Sequence, residues 1–446
     1  MRTTNVRSDR RWPHGASATA RNLKKYGIPF IGFEIHSDVG GLWDINSPTS
    51  TMYESAHLIS SKKMTEFSEF PMAKDVAIYP HHRQMAEYFR QYARHFDLYR
   101  DYEFSTEVVS VLPQGDRWSV TTRCDGEQAT RLFDGVLIAN GTLHEPNRIA
   151  LPGTFSGELL HACSYKSADI FRDKRVLIVG CGNSGADIAV DAVHQARSVD
   201  MSVRRGYYFL PKFLLGKPID TLGGKLKLPR PLKQRLDGWL IRAVMGKPSD
   251  YGLPDPDYRM YESHPVINSL VLHHLGHGDI TPRPDIKAVS ANTVTFADGT
   301  RADYDLILTA TGYKLHYPFI DRQYLNWQQG DAPSLYLNAF HPDYDNLFVM
   351  GMVEATGLGW EGRNEQAEMV ALYIHQLKAG KASAGKIRQR KKDQAGRRMD
   401  GGYHYLQLER MAYYVSKHEY RAAVLENIRL LKADLDASAQ AQALAS

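Results

Sequence analysis

Short apolar runs alternate with stretches of helical periodicity along most of the chain, and that alternation predicts its architecture. Residues 28–34 (IPFIGFE) make an apolar run of strand length. In residues 81–96, Met85, Phe89, Tyr92 and Phe96 recur at spacings of three and four, which places them on one face of a helix. Residues 118–123 (WSVTTR) alternate as a half-buried strand does. Residues 134–141 (DGVLIANG), 174–180 (KRVLIVG), 305–313 (DLILTATGY) and 346–351 (NLFVMG) each run from an apolar strand into a glycine turn. Strands buried on both faces read as continuous apolar runs, so strands of this kind alternating with helices indicate an α/β chain with parallel sheets.

Composition narrows the class. The 446 residues suffice for two or three domains at roughly 100–200 residues each. Apolar residues at 43% and charged residues at 24% are ordinary for a globular core and surface. A net charge of +5, with both signs interspersed, suits an anionic cofactor and is too weak to point to nucleic acid. No run reaches the ~18 apolar residues of a membrane span, and the basic N-terminus has no apolar signal region. Cys124, Cys163 and Cys181 stand far apart and form no CxxC, so a reducing, cytoplasmic setting is expected, without a dithiol centre or cysteine zinc site.

Other chemistry-bearing residues take plainer readings. His273, His274 and His277 have only Asp279 as a nearby carboxylate, and are read as surface or loop-capping groups with no metal. Trp327 and Trp360 are read as core. Residues 386–398 (KIRQRKKDQAGRR) are read as a solvated linker or helix face, and the low-complexity last ten residues as a frayed end.

The segment after the 174–180 strand is the most informative. Gly180, Gly182 and Gly185 follow the strand directly and open a helix reaching about His194. In that context the first glycine permits a tight turn, the second lets backbone approach a pyrophosphate, and the third lets helix pack on strand. The helix N-terminus then offers free N–H groups to the phosphates. A following strand, residues 198–204, ends in Arg204 and Arg205 where an NAD site usually carries an acid, and two arginines suit the 2′-phosphate of NADP.

A second site is expected upstream, with a damaged beginning. Glu34 ends the 28–34 strand, where an acid would bind a ribose hydroxyl, and HSDVGGLWD brings Gly40 and Gly41 toward a ligand. The apolar strand and glycine loop that should precede the helix at 18–27 are replaced by polar, basic residues with only Gly15. The genetic code offers an account. Permitted codons for residues 6–17, read one nucleotide out of frame, spell Cys-Val-Val-Ile-Gly-Ala-Gly-Pro-Thr-Gly-Leu. One glycine is forced, because TGG for Trp12 and the first C of any Pro13 codon give GGC. The expectation is a frameshift with a compensating change near Ser17; the alternative is a divergent N-terminus.

From residue 18 to residue 374 the chain resembles the flavin-containing monooxygenases, the class B flavoprotein hydroxylases. Phe155, Gly157, His161, Tyr165 and Lys166 fill every position of that family's FxGxxxHxxxYK fingerprint. The Tyr165-Lys166 ending matches the N- and S-oxygenating branch; the related Baeyer–Villiger enzymes end in Trp-Pro. GGLWD at 40–44, EFPM at 69–72, YPHHRQMAEYF at 79–89, GCGNSGADIA at 180–189 and TATGY at 309–313 also match.

The resemblance implies two Rossmann-like dinucleotide-binding domains, with the NADP domain (151–307) inserted between the two parts of the FAD domain (1–150 and 308–446). It implies FAD contacts at Glu34, Leu42 and Trp43, with Gly15, Gly40, Gly41 and Gln366 as further candidates. NADP contacts are implied at Ser184, Gly185, Ala186 and Asp187, beside Gly180, Gly182, Arg204 and Arg205. His161 and Tyr165 would join the domains. The family often has an asparagine beside the flavin where this chain has Ile59, so Ile59 and the neighbouring Ser60 take that position, and oxygen activation would either rely on other groups or leak peroxide.

By resemblance, NADPH would reduce FAD, O₂ would form a C4a-hydroperoxyflavin, and an amine nitrogen or sulfide sulfur would take the distal oxygen. The flavin carries that chemistry, so no acid–base triad is required. Ketone oxygenation of the Baeyer–Villiger type, and an impaired NADP-binding relic lacking the FAD phosphate loop, are the alternatives. Expected partners are a small nucleophile and O₂, with a homodimer compatible.

Overall fold

The computed structural model describes residues 3–5, 14–222 and 228–445, with side chains for 15–222 and 228–435. Two five-stranded parallel sheets organise the chain. The first runs Leu347–Val349, Val136–Ile138, Thr3–Asn5, Phe30–Phe33, Tyr102–Glu103. The second runs Glu158–His161, Leu306–Thr309, Arg175–Val179, Ser198–Ser202, Ile280–Arg283. All the second sheet's pairings are parallel, and they keep continuous register, such as Val176 with Val199 and with Leu306.

Val136–Ile138 and Leu347–Val349 in the first sheet, and Arg175–Val179 and Leu306–Thr309 in the second, are buried on both faces, which explains their unbroken apolar runs. Successive side chains point to opposite faces. Val176 and Ile178 therefore enter a core with Ile188 of helix Asn183–Val193 and with Val271. Leu177 and Val179 enter another with Val294 and Phe296 of a small four-stranded mixed sheet. In the first sheet Leu137 and Phe348 face helices His14–Lys25, His82–His95 and Glu361–Lys378 through Leu23, Phe89 and Leu372. Val136, Ile138 and Val349 face the three-stranded meander 106–133, whose strand Arg117–Cys124 buries Trp118 and Val120 alternately, as its sequence predicts.

The helix predicted at 81–96 is observed at His82–His95, started by reciprocal capping: His81 accepts from the Arg83 N–H, and Gln84 Oε1 accepts from the His81 N–H at 3.1 Å. Helix His14–Lys25 begins earlier than the expected 18–27. Most of the segment read as frameshifted, residues 6–13, lies outside the described residues. Strand Leu306–Thr309 belongs whole to the second sheet, so the return to the first sheet passes beyond residue 307.

Two sequence expectations are corrected. Lys391, within the run read as solvated, is buried in helix Ala382–Asp393; its Nζ donates to the carbonyls of His341 and Tyr344 and pairs with Asp345 at 3.0 Å. Residues 437–445, within the end read as frayed, continue helix Lys417–Ala445. Trp327 and Trp360 are core residues, each 4% exposed. Among the described residues no cluster fit for a metal is found, and no helix is long and apolar enough to cross a membrane.

Candidate functional site

The second sheet presents its glycine turn at the carboxyl end of Arg175–Val179. Gly180 has φ +104°, and a Cβ there would lie 2.8 Å from the Ala310 carbonyl oxygen. A Cβ on Gly185 would lie 2.1 Å from the Gly180 carbonyl oxygen, so helix and turn could not pack with a larger residue. Gly182, the residue preceding helix Asn183–Val193, has open space where a Cβ would stand. Packing therefore explains the first and third glycines but not the second, whose open side is where a pyrophosphate would lie against the helix N-terminus. Ser184 lies in that first helical turn, and Ala186 is buried beneath it. Val179 pairs with Ser202, so the turn neighbours the end of strand Ser198–Ser202, from which Arg204 projects exposed and Arg205 half-buried. Arg205 stands 3.8 Å from Asp257.

The upstream site is built on the end of strand Phe30–Phe33. Glu34 is fully buried, and its Oε1 accepts from the His36 N–H at 3.0 Å. Beyond it opens a cavity of about 270 Å³ lined by Ile35, His36, Asp38, Gly41, Asp44 and Ser47. Arg90 braces the two acids of this wall, donating to Asp38 at 2.8 Å and to Asp44 at 2.6 Å. Gly40, at φ +129°, turns the chain into the short helix Gly41–Trp43. Leu42 is buried there, and the buried Trp43 Nε1 and Ser47 Oγ have no hydrogen-bond partner among the described residues. A polar cavity with orphaned donors beside a buried ribose-type acid fits the adenosine end of a dinucleotide.

Gly15 and Gln366 sit behind this site. A Cβ on Gly15 would come 3.3 Å from Gly351 Cα. Gln366 is fully buried; its Oε1 accepts from the Gly351 N–H at 2.9 Å and its Nε2 donates to Tyr420 at 2.7 Å. Both ends of the amide are thus engaged within the protein. Ile59 and Ser60 are half-buried, with Ser60 Oγ 2.6 Å from Thr65 Oγ1. A Cβ on Gly359 would lie 2.3 Å from the Met64 carbonyl oxygen, so the 59–65 segment and the 354–360 turn meet closely.

The fingerprint joins the two sheets. His161 ends strand Glu158–His161, is 1% exposed, and accepts from the Cys163 N–H at 3.1 Å. Burial, reinforced by Arg148, pulls its imidazole down to about 4, so it is neutral at neutral pH. Tyr165 donates to Asp191 at 2.8 Å, and Lys166 Nζ donates to the carbonyls of Ser50 at 2.6 Å and Met52 at 3.1 Å.

Asp187 is more occupied than its motif suggests. Its two oxygens accept from Tyr53 at 3.1 Å and from Asn268 at 2.6 Å. Burial raises the Asp187 carboxyl and pushes the Tyr53 phenol well up. Hydrogen bonds to charged groups contribute roughly 1.5–3 kcal/mol, against roughly 0–1 kcal/mol for an exposed ion pair. These enclosed contacts therefore outweigh the surface pairs in fixing the joint. Tyr53, Ser55, Asp191 and Asn268 were not picked out from the sequence. Its one signal is that Asp187 and Asp191 stand four residues apart, on one helix face.

A further polar group closes the far side. Tyr414 Oη lies 2.7 Å from Thr356 Oγ1 and 3.5 Å from His264 Nδ1. Burial, with Arg410 nearby, draws His264 down to about 3.

Two Rossmann-like dinucleotide-binding domains joined through this fingerprint define a two-nucleotide α/β protein. The family model described as flavin-binding monooxygenase-like matches residues 19–427. Flavin-containing monooxygenase 1 of Sus scrofa is 34% identical over 358 residues, covering 74% of this chain and 66% of its own length. Flavin-containing monooxygenase 5 of Mus musculus is 30% identical over 418 residues, covering 85% of this chain and 76% of its own. Among solved structures, S-allyl-L-cysteine S-oxygenase from Allium sativum aligns with TM-score 0.66 at 18% identity, covering 99% of this chain and 93% of that one. An open structure of cyclohexanone monooxygenase aligns with TM-score 0.70 at 18% identity, covering 95% and 97%. The chain belongs to the flavin-binding monooxygenase-like family. The match to the pig enzyme spans just under two thirds of that enzyme's length.

Proposed function

We propose that this chain is an NADPH- and FAD-dependent monooxygenase that places one oxygen atom of O₂ on a soft nucleophile, an amine nitrogen or a sulfide sulfur. The observation that carries the reading is the joint: the segment ending in Tyr165 and Lys166 ties helix Asn183–Val193, through Asp191, to the carbonyls of Ser50 and Met52 in the flavin-binding part. The names of the pig and mouse relatives support the same reading.

Gly180, Gly182 and Gly185 would receive the NADPH pyrophosphate with Ser184, Ala186 and Asp187 on the same helix, and Arg204 and Arg205 would hold its 2′-phosphate. Glu34, Gly40, Gly41, Leu42 and Trp43 would hold FAD, with Gly15 and Gln366 bracing the wall behind. Bound FAD would supply hydride acceptance and oxygen activation. Ile59 gives no hydrogen bond, so the protein's part beside the flavin is shape, exclusion of water and the Ser60 hydroxyl.

The test is reconstitution with FAD followed by NADPH oxidation with thioanisole, N,N-dimethylaniline and cyclohexanone. Flavin absorbance with sulfoxide or N-oxide formation is expected. A lactone as the sole product would move the chain to ketone oxygenation. No bound flavin would leave only an NADP-binding protein.

A further inference from the structure

Residues 50–61 of the flavin-binding part straddle two cores. Tyr53 and Ala56 pack into the core of the second sheet with Val176 and Ile188, while Leu58 packs into the core of the first. Ile59 and Ser60 follow at once. The segment has no ladder of its own, so its position is set by the groups that grip it. On one side they come from its own part, with the Leu58 N–H on the Pro80 carbonyl at 2.9 Å and the His82 N–H on the Ala56 carbonyl at 3.0 Å; on the other they come from the nucleotide domain. Asp187 takes the Tyr53 hydroxyl at 3.1 Å. Asp191, one turn along the same helix, takes Ser55 Oγ and the Tyr165 hydroxyl. The Tyr53 and Tyr165 rings stand 5.3 Å apart, and the Glu54 N–H donates to the Lys166 carbonyl at 2.8 Å. At the other end, the Ser61 N–H donates to Asp220 at 2.6 Å.

We infer that Tyr53 with Asp187, and Tyr165 with Asp191, are positioning residues that hold Ile59 and Ser60 in register with the nucleotide helix and so set the split between oxygenated product and hydrogen peroxide. The inference rests on the monooxygenase reading. In the productive branch NADPH, a proton, O₂ and substrate S give NADP⁺, SO and water. In the leak NADPH, a proton and O₂ give NADP⁺ and H₂O₂. Each branch takes one hydride, two electrons, from NADPH; they differ in whether one oxygen reaches S or both leave as peroxide. With no side-chain amide at position 59, the site's closure to water depends on where the 50–61 segment is held.

Tyr53→Phe and Tyr165→Phe keep the rings and remove only the hydroxyls. Tyr304→Phe is the control, because Tyr304 donates to Asp200 at 2.6 Å within the second sheet alone. With FAD-loaded protein, NADPH and thioanisole, sulfoxide and peroxide are measured per NADPH consumed. The peroxide share is expected to rise at least about threefold in both clasp variants, with NADPH consumption within about twofold of the parent and no rise in the control. Hydrogen–deuterium exchange on the cofactor-free protein is the second readout, and residues 50–61 should exchange about tenfold faster in Tyr53→Phe. Faster exchange with an unchanged peroxide share would show a purely structural anchor and overturn the inference. An equal peroxide rise in Tyr304→Phe would overturn it too, as general loosening. Unchanged exchange removes the clasp itself. A parent protein that consumes no NADPH defeats the monooxygenase reading, and the exchange result then reports on the clasp separately.

Discussion

The two parallel sheets make the same kind of pocket from unequal material. In the second, Arg175–Val179 is apolar, sits at the centre, and pairs along its length on both sides before entering a complete glycine turn. In the first, the central place is taken by Thr3–Asn5, which reads Thr-Thr-Asn and meets Val136–Ile138 only through Thr4 among the described residues. A central parallel strand is buried on both faces, where polar side chains are costly unless each finds a partner. Everything around that strand is in order: Glu34, the Gly40 turn, the cavity and the Gly351 wall. The difference teaches that a sheet's surroundings can specify the place of a strand that the sequence itself supplies poorly.

The largest effect should come from repairing the unequal half. Replacing residues 6–16 with Cys-Val-Val-Ile-Gly-Ala-Gly-Pro-Thr-Gly-Leu should turn weak FAD retention, which needs excess FAD to load the chain, into stoichiometric retention. At a hundredfold excess over Kd the bound cofactor should add about 2.7 kcal/mol of stability. Flavin absorbance after gel filtration and the melting temperature report both, and equal retention by the unaltered chain would break the comparison. Sequencing the gene tests the origin of the segment directly.

Next in size is the intact turn. Gly185→Ala drives a Cβ into the Gly180 carbonyl, an overpacking expected to cost about 1–3 kcal/mol or more in the melting curve. Gly182→Ala meets no protein atom, so its melting curve should hold while NADP⁺ affinity falls about tenfold by titration. If both variants lose stability alike, the division of labour among the three glycines is wrong.

A smaller shift is expected from Arg204→Ala combined with Arg205→Ala. The ratio of kcat/KM for NADPH over NADH should fall about 10- to 100-fold, with FAD retention unaltered. An unchanged ratio would place the 2′-phosphate elsewhere.

A separate effect, read in stability alone, is a pH dependence at the joint. The His161 imidazole is held near 4 in the folded chain, against about 6.5 unfolded. Its neutral form therefore contributes stability that is full above pH 6.5 and is lost as pH falls toward 4. The loss should be about 3 kcal/mol. Melting curves from pH 8 to pH 4 for the parent and His161→Gln should converge at the acid end; parallel curves would deny the effect.

The sheets were legible because their strands are buried on both faces and so leave unbroken apolar runs at 134–141, 174–180, 305–313 and 346–351. The glycine turn was legible because its three roles fall within six residues. The clasp was not, since Tyr53 and Asp187 are 134 residues apart and neither a tyrosine nor a helical aspartate announces a partner. Lys391 misled for a related reason: a lysine in a basic run looks solvated until the folded chain brings the His341 and Tyr344 carbonyls and Asp345 to its ammonium. Gln366 was picked out as a ligand contact, and its tertiary partners, Gly351 and Tyr420, are invisible to local pattern.

The order of strands also fixes an order of assembly. The second sheet draws all its strands from residues 158–309, so on the ribosome it can close as one uninterrupted stretch of nascent chain. The first sheet begins earlier yet needs Leu347–Val349 beside Val136–Ile138, a pairing across roughly 200 residues whose loop entropy must be met before the contacts reward it. The half that is translated first is therefore finished last. While it waits, the apolar strand Val136–Ile138 has one edge open, and chaperone dependence during synthesis should concentrate there.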